Sequence, residues 1–517
     1  MSCSKIFSGD IPELTHDIIK YLQNDFATLY SCILVNKLWC RLAIPLLWEN
    51  PFSILTGNYN FIEIYLHNLK GDLKMKLNKY VKIDNNSFSS NTLFNYLSFI
   101  EHLNTRRMMS SILKWFEFLV SEDRYYLQNL GSVSDFKKLV HKSLLKIFIE
   151  NEVNLQTLDI EVYIYDDNYG SYYEDTFELI LQNPNFIHNI KNLELYFDNY
   201  NLIKNRVLQM INLHQNLKKI FLDRYSHPIF LKQLLLSKNY NCSNTLNTII
   251  FYSVNFNRMD NLYIVFEQLN VLESVHIIYC HLFNTGFIQQ IIYLTKPFKL
   301  KSLFISKSSR IDKSLLLLLQ KSGCYLENFE YDFGISYDLT KQELLESIIK
   351  FCKNIKLLYL YDFENQVVHL IFKLIENIKR SLKYLSIGSN VKTESSSIIL
   401  RNLGQILPFK LEYLNLILYF KASDFEIFLK NSQSNFIEKL VINNISNGMQ
   451  EYNNDIVPYI KKYIMNEKRV KYLATIRSGK ELFDLKDEVK EFKLYDIKVQ
   501  CYDDLLINIY EFTKKLD

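Results

Sequence analysis

A chain of 517 residues is too long for one compact core, so it must divide into domains or stack as a repeat. Hydrophobic residues make up 48% of it, with 36 Tyr and 36 Phe, which excludes a mostly disordered chain. The formal charge of +4, from 60 basic and 56 acidic residues, is too even to attract nucleic acid or an acidic membrane, and neither is an expected partner.

The first residues, Met1 to Asp17, are polar and acidic where a secretory leader needs an apolar core. No apolar run approaches the ~18 residues of a membrane span. The eight cysteines are scattered without a C-x-x-C pair and read as reduced thiols, so a cytoplasmic or nuclear location is expected. Leu14, Ile18, Tyr21 and Leu22 then form one helical stripe. Asp25 is placed to cap a second helix carrying Leu29 and Ile33. Val35, Trp39 and Ala43 mark a third, which Pro45 is expected to break or restart. Three helices this short bury too little surface to stand alone, so they should share an apolar face with something else.

Ile11-Pro12-Glu13-Leu14, Tyr21-Leu22, Asp25, Leu34-Val35-Asn36-Lys37, Trp39 and Pro45-Leu46-Leu47-Trp48 together resemble the F-box, over residues 8–50. The likeness is closest to the fungal variety with its terminal Pro-Leu-Leu-Trp-like run; Ile11 stands where that family usually has Leu. The resemblance implies docking on a Skp-type adaptor, and through it on a cullin scaffold. Pro12, Leu14, Ile18, Leu22, Val35 and Trp39 would then lie at or beside the adaptor interface.

Residues 51–150 carry no recognisable motif. Apolar clusters at Ile112/Leu113/Trp115/Phe116 and Leu139/Leu144/Leu145/Ile147 predict a packed helical linker. The lysines Lys70, Lys74, Lys76, Lys79 and Lys82 read as a solvated face.

From residue 151 to about 500 one template recurs: large apolar, two variable, large apolar, one variable, large apolar. It fits eleven times, from Leu155/Leu158/Ile160 and Ile190/Leu193/Leu195 to Leu411/Leu414/Leu416 and Ile437/Leu440/Ile442. Nine of the ten intervals fall between 26 and 29 residues, the period of a leucine-rich repeat with one strand and one helix per unit. Pro297-Phe298-Lys299-Leu300 and Pro408-Phe409-Lys410-Leu411 enter their strands identically, four periods apart. The single long interval contains the polar insertion Asp166-Asp167-Asn168-Tyr169-Gly170-Ser171. Helical stripes such as Leu344/Leu345/Ile348/Ile349 lie between the strands. Further units are expected at Val470/Leu473 and Val489/Phe492/Leu494, with residues 501–517 as a helical cap.

The predicted fold is therefore α/β: a three-helix F-box, a helical linker, and a curved leucine-rich-repeat solenoid with parallel strands concave and helices convex. The array departs from the repeat family in lacking a regular Asn after the third apolar position. Alternation along each strand turns the residues between the apolar pair to the concave side. That side would present Asp159, Glu161, Glu194, Tyr196, Phe221 and Asp223 early, then Tyr252, His276, Phe304, Glu330 and Asp332. Tyr359, Tyr361, Tyr384 and Tyr413 follow. The expectation is a target protein with a basic portion over the acids and an apolar or aromatic portion over the tyrosines.

Signs of catalysis are weak. The glycines never come closer than 11 residues, so no phosphate-cradling loop is present, and no cofactor is expected. His276, Cys280 and His281 are the densest group of metal-ligand types, but a strand and its following turn account for them. Glu330 and Asp332 share a strand face as paired carboxylates do, and an acidic surface explains them equally. The reading is a substrate receptor of a Skp–cullin–F-box ubiquitin ligase, not an enzyme. A repeat scaffold with no part in ubiquitination, and a hydrolase using the concave acids, remain the alternatives.

Overall fold

The computed structural model describes residues 12–23, 25–53, 59–81, 93–122, 124–125, 133–162, 170–197, 206, 209–210, 213, 216–223, 241–256, 262–281, 285–306, 313–334, 339–389, 394–445, 455–465, 467–477 and 480–516. Ile11, Lys82 and residues 166–169 of the polar insertion lie outside them, as do the side chains of Pro12 and Tyr196. The protein divides into two compact units, Met1–Asn247 and Thr248–Asp517. Among the described residues no helix is long and apolar enough to cross a membrane.

The first unit opens with α1 (Pro12–Tyr21), α2 (Phe26–Ile33) and α3 (Lys37–Trp48). Asp25 Oδ1 accepts from Thr28 N at 3.0 Å and Asn36 Oδ1 from Trp39 N at 3.0 Å, so both later helices start at a side-chain cap. Pro45 does not break α3, contrary to expectation. It stands in the last turn, where the missing N–H forfeits one helical hydrogen bond and leaves little helix downstream to kink. Ile19, Leu29, Cys32, Trp39 and Ala43 form the core of the three helices. Trp48 joins them to the next segment, its ring 4.1 Å from Tyr96 and 5.6 Å from Tyr65, which supplies the shared apolar contact that so small a unit needs.

The intervening segment contains α4 (Phe61–Leu66), α5 (Gly71–Leu77), β1 (His102–Asn104), α6 (Thr105–Ser121) and α7 (Val133–Glu150). It is not wholly helical. The short β1 starts a parallel sheet that continues through β2 (Thr157–Val162), β3 (Asn192–Phe197) and β4 (Lys219–Leu222), with α8 (Gly170–Gln182) after β2. Leu103, Leu158, Leu193 and Ile220 lie in one buried row across these strands.

The second unit alternates strands and helices: β5 (Thr248–Tyr252), α9 (Leu262–Gln268), β6 (Ser274–Ile278), α10 (Thr285–Ile292), β7 (Leu300–Ile305) and α11 (Lys313–Ser322). It continues with β8 (Asn328–Asp332), α12 (Leu339–Phe351), β9 (Leu357–Tyr361), α13 (Val368–Ile378), β10 (Tyr384–Gly388) and α14 (Glu394–Ile406). Then come β11 (Lys410–Leu418), α15 (Ala422–Asn431), β12 (Phe436–Asn444), α16 (Val457–Ile460) and β13 (Val470–Arg477). The strands β5 to β13 run parallel, each beside the next in sequence. Right-handed crossovers between strands so ordered put all the helices on one face. Helices α10 to α15 accordingly pack each on the next. The predicted second and third apolar positions fall in register: Leu303, Phe329, Leu358, Leu385, Leu414, Leu440 and Leu473 form one fully buried row. Burying each such side chain contributes about 1.5–3 kcal/mol. Gly404 lets α14 close on α15, since a Cβ there would come 2.7 Å from the Phe428 carbonyl oxygen.

After β13 the structure departs from the predicted pattern. A hairpin adds β14 (Lys480–Glu481), antiparallel to β13. The expected strand at Val489/Phe492/Leu494 is instead α17 (Lys486–Leu494). That segment is rich in helix-forming Lys, Glu and Leu, with acids in its first turn and Lys493 in its last, and local propensity outweighs the apolar spacing. The added strand is β15 (Lys498–Val499), parallel to β13. Finally α18 (Tyr502–Leu505) and α19 (Ile509–Lys514) do not merely cap the end of the array. They lie across the sheet face opposite the helices, because Tyr502 and Leu505 belong to the cluster that holds Phe304, Tyr359 and Tyr413.

Candidate functional site

Three places gather the residues singled out by the sequence. The first is the amino-terminal helical unit. Trp39, expected at or beside an adaptor interface, is only 7% exposed and fills the core between the helices. Ile18 and Leu22 are half-buried. The apolar groups turned outward are Leu14, Tyr21, Tyr30, Leu34 and Val35, of which Tyr21 is 92% and Leu34 75% exposed. Solvent-facing Leu, Val and Tyr at this density on three short helices is unusual for a surface meant to stay wet.

The second place is the acidic group of the first unit. Asp159 lies beside Glu194 in register, with Asn104 and Phe221 on the flanking strands. Asn104 Nδ2 donates to Asp159 Oδ2 at 3.0 Å and to Glu161 Oε1 at 2.8 Å, and Arg106 reaches Glu161 Oε2 at 3.4 Å. Glu161, Glu194 and Asp223 are buried. Asp159 and Glu161 are thus held by Asn104 of β1 and Arg106 of α6, both within the segment expected to be a helical linker.

The third place is the face of β5–β13 turned away from the helices. One row across it runs Phe304, Glu330, Tyr359, Ser386, Asn415. A second runs His276, Ser302, Asn328, Leu357, Tyr384, Tyr413, and a third Asp332, Tyr361, Gly388. Alternation thus brings the predicted residues together. The face is not open, however. Phe304, Tyr359 and Tyr413 are buried, and Leu506, Ile507, Ile509 and Phe512 pack on them beside Tyr502 and Leu505. Tyr510 meets Tyr252 edge to face at 5.2 Å. Glu481 Oε2 accepts from Tyr502 N at 2.9 Å and fixes where this segment begins.

Polar pairs stiffen the face. His276 Nδ1 is 2.7 Å from Ser302 Oγ, which also accepts from Asn328 Nδ2 at 2.9 Å. Asn415 Nδ2 donates to Ser386 Oγ at 3.0 Å, and Tyr384 OH donates to Glu412 Oε2 at 2.5 Å. At the centre sits Glu330, 7% exposed, whose Oε1 accepts from Tyr279 OH at 2.7 Å. Burial pushes the Glu330 carboxyl up to about 7; the Tyr279 hydrogen bond opposes that shift and the Asp332 charge adds to it. The Tyr279 hydroxyl is itself held far above the ordinary tyrosine range, by burial first and the Glu330 charge second.

Tyr279 and residues 502–512 are the participants that sequence reasoning missed. Tyr279 follows β6 with φ of +51°, a left-handed turn that recurs at Ser253 after β5 and at Asp362 after β9, two residues beyond the third apolar position of each unit. A signal for the carboxy-terminal segment did exist: Tyr502, Leu505, Leu506, Ile507, Ile509 and Phe512 are too apolar for a cap that faces water on all sides.

His276, Cys280 and His281, read from the sequence as a strand and its turn, take separate places. His276 bonds to Ser302, His281 is exposed, and Cys280 is buried with its Sγ 3.3 Å from the Phe251 carbonyl oxygen. Burial holds the Cys280 thiol up at about 12. Among the described residues, Glu49, Glu101 and His102 do come close enough to share an ion. Glu49 is already engaged there, by His102 Nε2 at 2.9 Å and by Gln23 Nε2 at 2.7 Å. No protein-family model matches the chain, and no curated protein is similar to it in sequence.

Proposed function

We propose that this protein is the substrate receptor of a Skp–cullin–F-box type ubiquitin ligase, with residues 8–50 as the F-box and the strand–helix array as a leucine-rich-repeat solenoid. The observation that carries the reading is the division of labour in the amino-terminal helices. Ile19, Leu29 and Trp39 hold the unit together from inside, while Leu14, Leu34 and Val35 of the F-box-like motif stay on its surface. A Skp-type adaptor would cover those exposed groups. The parallel order of β5 to β13, with a period close to 28 residues and connecting helices that pack each on the next, supports the leucine-rich-repeat reading.

In this role the protein performs no bond chemistry. It raises the effective concentration of a bound target near a ubiquitin-charged enzyme. The test is affinity purification of the full chain with identification of what co-purifies. A Skp-type adaptor and a cullin should both appear, and both should vanish when Leu34 and Val35 are replaced by Asp. An adaptor without a cullin would favour a scaffold outside ubiquitination. Neither partner, from a folded protein, would overturn the F-box reading.

A further inference from the structure

Residues 502–512 lie on a face that has features of a binding groove as well as of a core. Glu330 is more than nine-tenths buried there, and its Oε2 accepts no hydrogen bond from the described residues. Leaving a buried carboxylate oxygen unpaired is costly, and native proteins rarely tolerate it without a use. Tyr279, which holds the other oxygen, has φ of +51°, as Ser253 and Asp362 have at the equivalent place after β5 and β9, so a turn of the repeat brings its hydroxyl to Glu330. The segment that now occupies the face brings nothing to Glu330: the charged residues within 502–512 are Asp503, Asp504 and Glu511, all acidic. Ile507 reaches Tyr413 on β11 and Tyr510 reaches Tyr252 on β5, and β8, the strand that carries Glu330, lies between those two strands in the sheet.

We propose that this face is a groove for a segment of another protein that carries apolar side chains and a Lys or Arg, and that residues 502–512 occupy it until such a segment displaces them. The apolar side chains of the incoming segment replace Leu505, Ile507 and Ile509 against Tyr359 and Tyr413. Its cation pairs with Glu330, beside the rings of Tyr279 and Tyr361. An ammonium or guanidinium there returns Glu330 to its charged form and supplies the hydrogen bond that the resident segment lacks. The advantage of the partner over the resident is therefore electrostatic. This inference deepens the receptor reading by naming its target-binding surface and the chemistry of the target.

The experiment uses the full chain opened by Leu505→Asp, with Ile509→Asp as a second variant. Hydrogen exchange should rise across residues 502–512 while β9 stays protected. The probe is a synthetic peptide of residues 500–516, together with five versions bearing Lys in turn at positions 506 to 510. Fluorescence anisotropy should show the parent peptide binding the opened variants, and the wild-type chain at least tenfold more weakly. At least one lysine peptide should gain about tenfold in affinity. Glu330→Gln in the opened variant should remove that gain while the parent peptide still binds. Three results would overturn the proposal: no peptide binding to opened variants, no gain from any lysine, or loss of β9 protection in both variants. Capture of the Skp-type adaptor by the same variants is measured in parallel. Retained capture with no peptide binding rejects the groove alone, whereas peptide binding without capture rejects the F-box alone.

Discussion

The ring of Tyr361 lies so close to Gly388 on the next strand that a Cβ at position 388 would come within 2.6 Å of Tyr361 Cδ1. Its hydroxyl reaches Ser386 Oγ at 3.1 Å. A glycine inside a strand ordinarily weakens it, but here the missing side chain makes room for the tyrosine. Gly388→Ala should push the ring aside and cost about 1–3 kcal/mol in urea unfolding. Residues 502–512 should also exchange faster. Unchanged stability together with unchanged exchange would show that the ring is not held by this contact.

Leu358 and Leu385 are fully buried partners on adjacent strands. Truncating either to Ala should cost about 2–5 kcal/mol. The two losses should not add, because both side chains line the same space; a double-mutant cycle should report a coupling of about 0.5 kcal/mol or more. Strict additivity would mean that the two residues do not share a core.

Trp39 and Val35 should fail in different ways. Trp39→Ala empties the centre of the three helices and should cost about 3–5 kcal/mol. Adaptor capture would then fall through unfolding of the unit, read as lost helical circular dichroism. Val35→Asp, at a 46% exposed position, should leave the helices intact and still reduce capture by about tenfold or more. If Val35→Asp captures the adaptor as well as the wild type does, this surface is not the docking face.

Two buried groups should bend the pH dependence of stability in opposite directions. The fold raises Glu330 from 4.5 to about 7, which favours its protonated form. That contribution is complete below the unfolded value and is lost as pH rises through about 7, so Glu330→Gln should flatten the alkaline side. Burial lowers His141 in the first unit from 6.5 to about 4, which favours the neutral ring. Its contribution is complete above 6.5 and is lost as pH falls through about 4, so His141→Gln should flatten the acid side. Each effect is worth up to about 3 kcal/mol, and denaturant midpoints measured across pH 3 to 9 would expose both. A profile unaltered by either substitution would contradict the burial of the group concerned.

The repeat was legible in the sequence because it depends on local periodicity. Leu303, Leu358, Leu385 and Leu414 each sit second in the same apolar template, and alternation along a strand then fixes which neighbours face the other way. The cap at Asp25 depends on short-range chemistry of the same kind. Strand β1 was invisible for the opposite reason: His102-Leu103-Asn104 contains a single large apolar residue and is made a strand only by pairing with β2. The rest was decided by contacts between residues far apart in the chain. Trp39 became an interior residue because α1 and α2 close over it, and periodicity cannot separate a stripe that meets its own unit from one that meets a partner. The sequence placed Glu330 and the tyrosines on one face, but the return of residues 502–512 across that face is a tertiary event. Burying those apolar side chains against Tyr359 and Tyr413 outweighs leaving both surfaces in water, and no spacing within either segment encodes that choice.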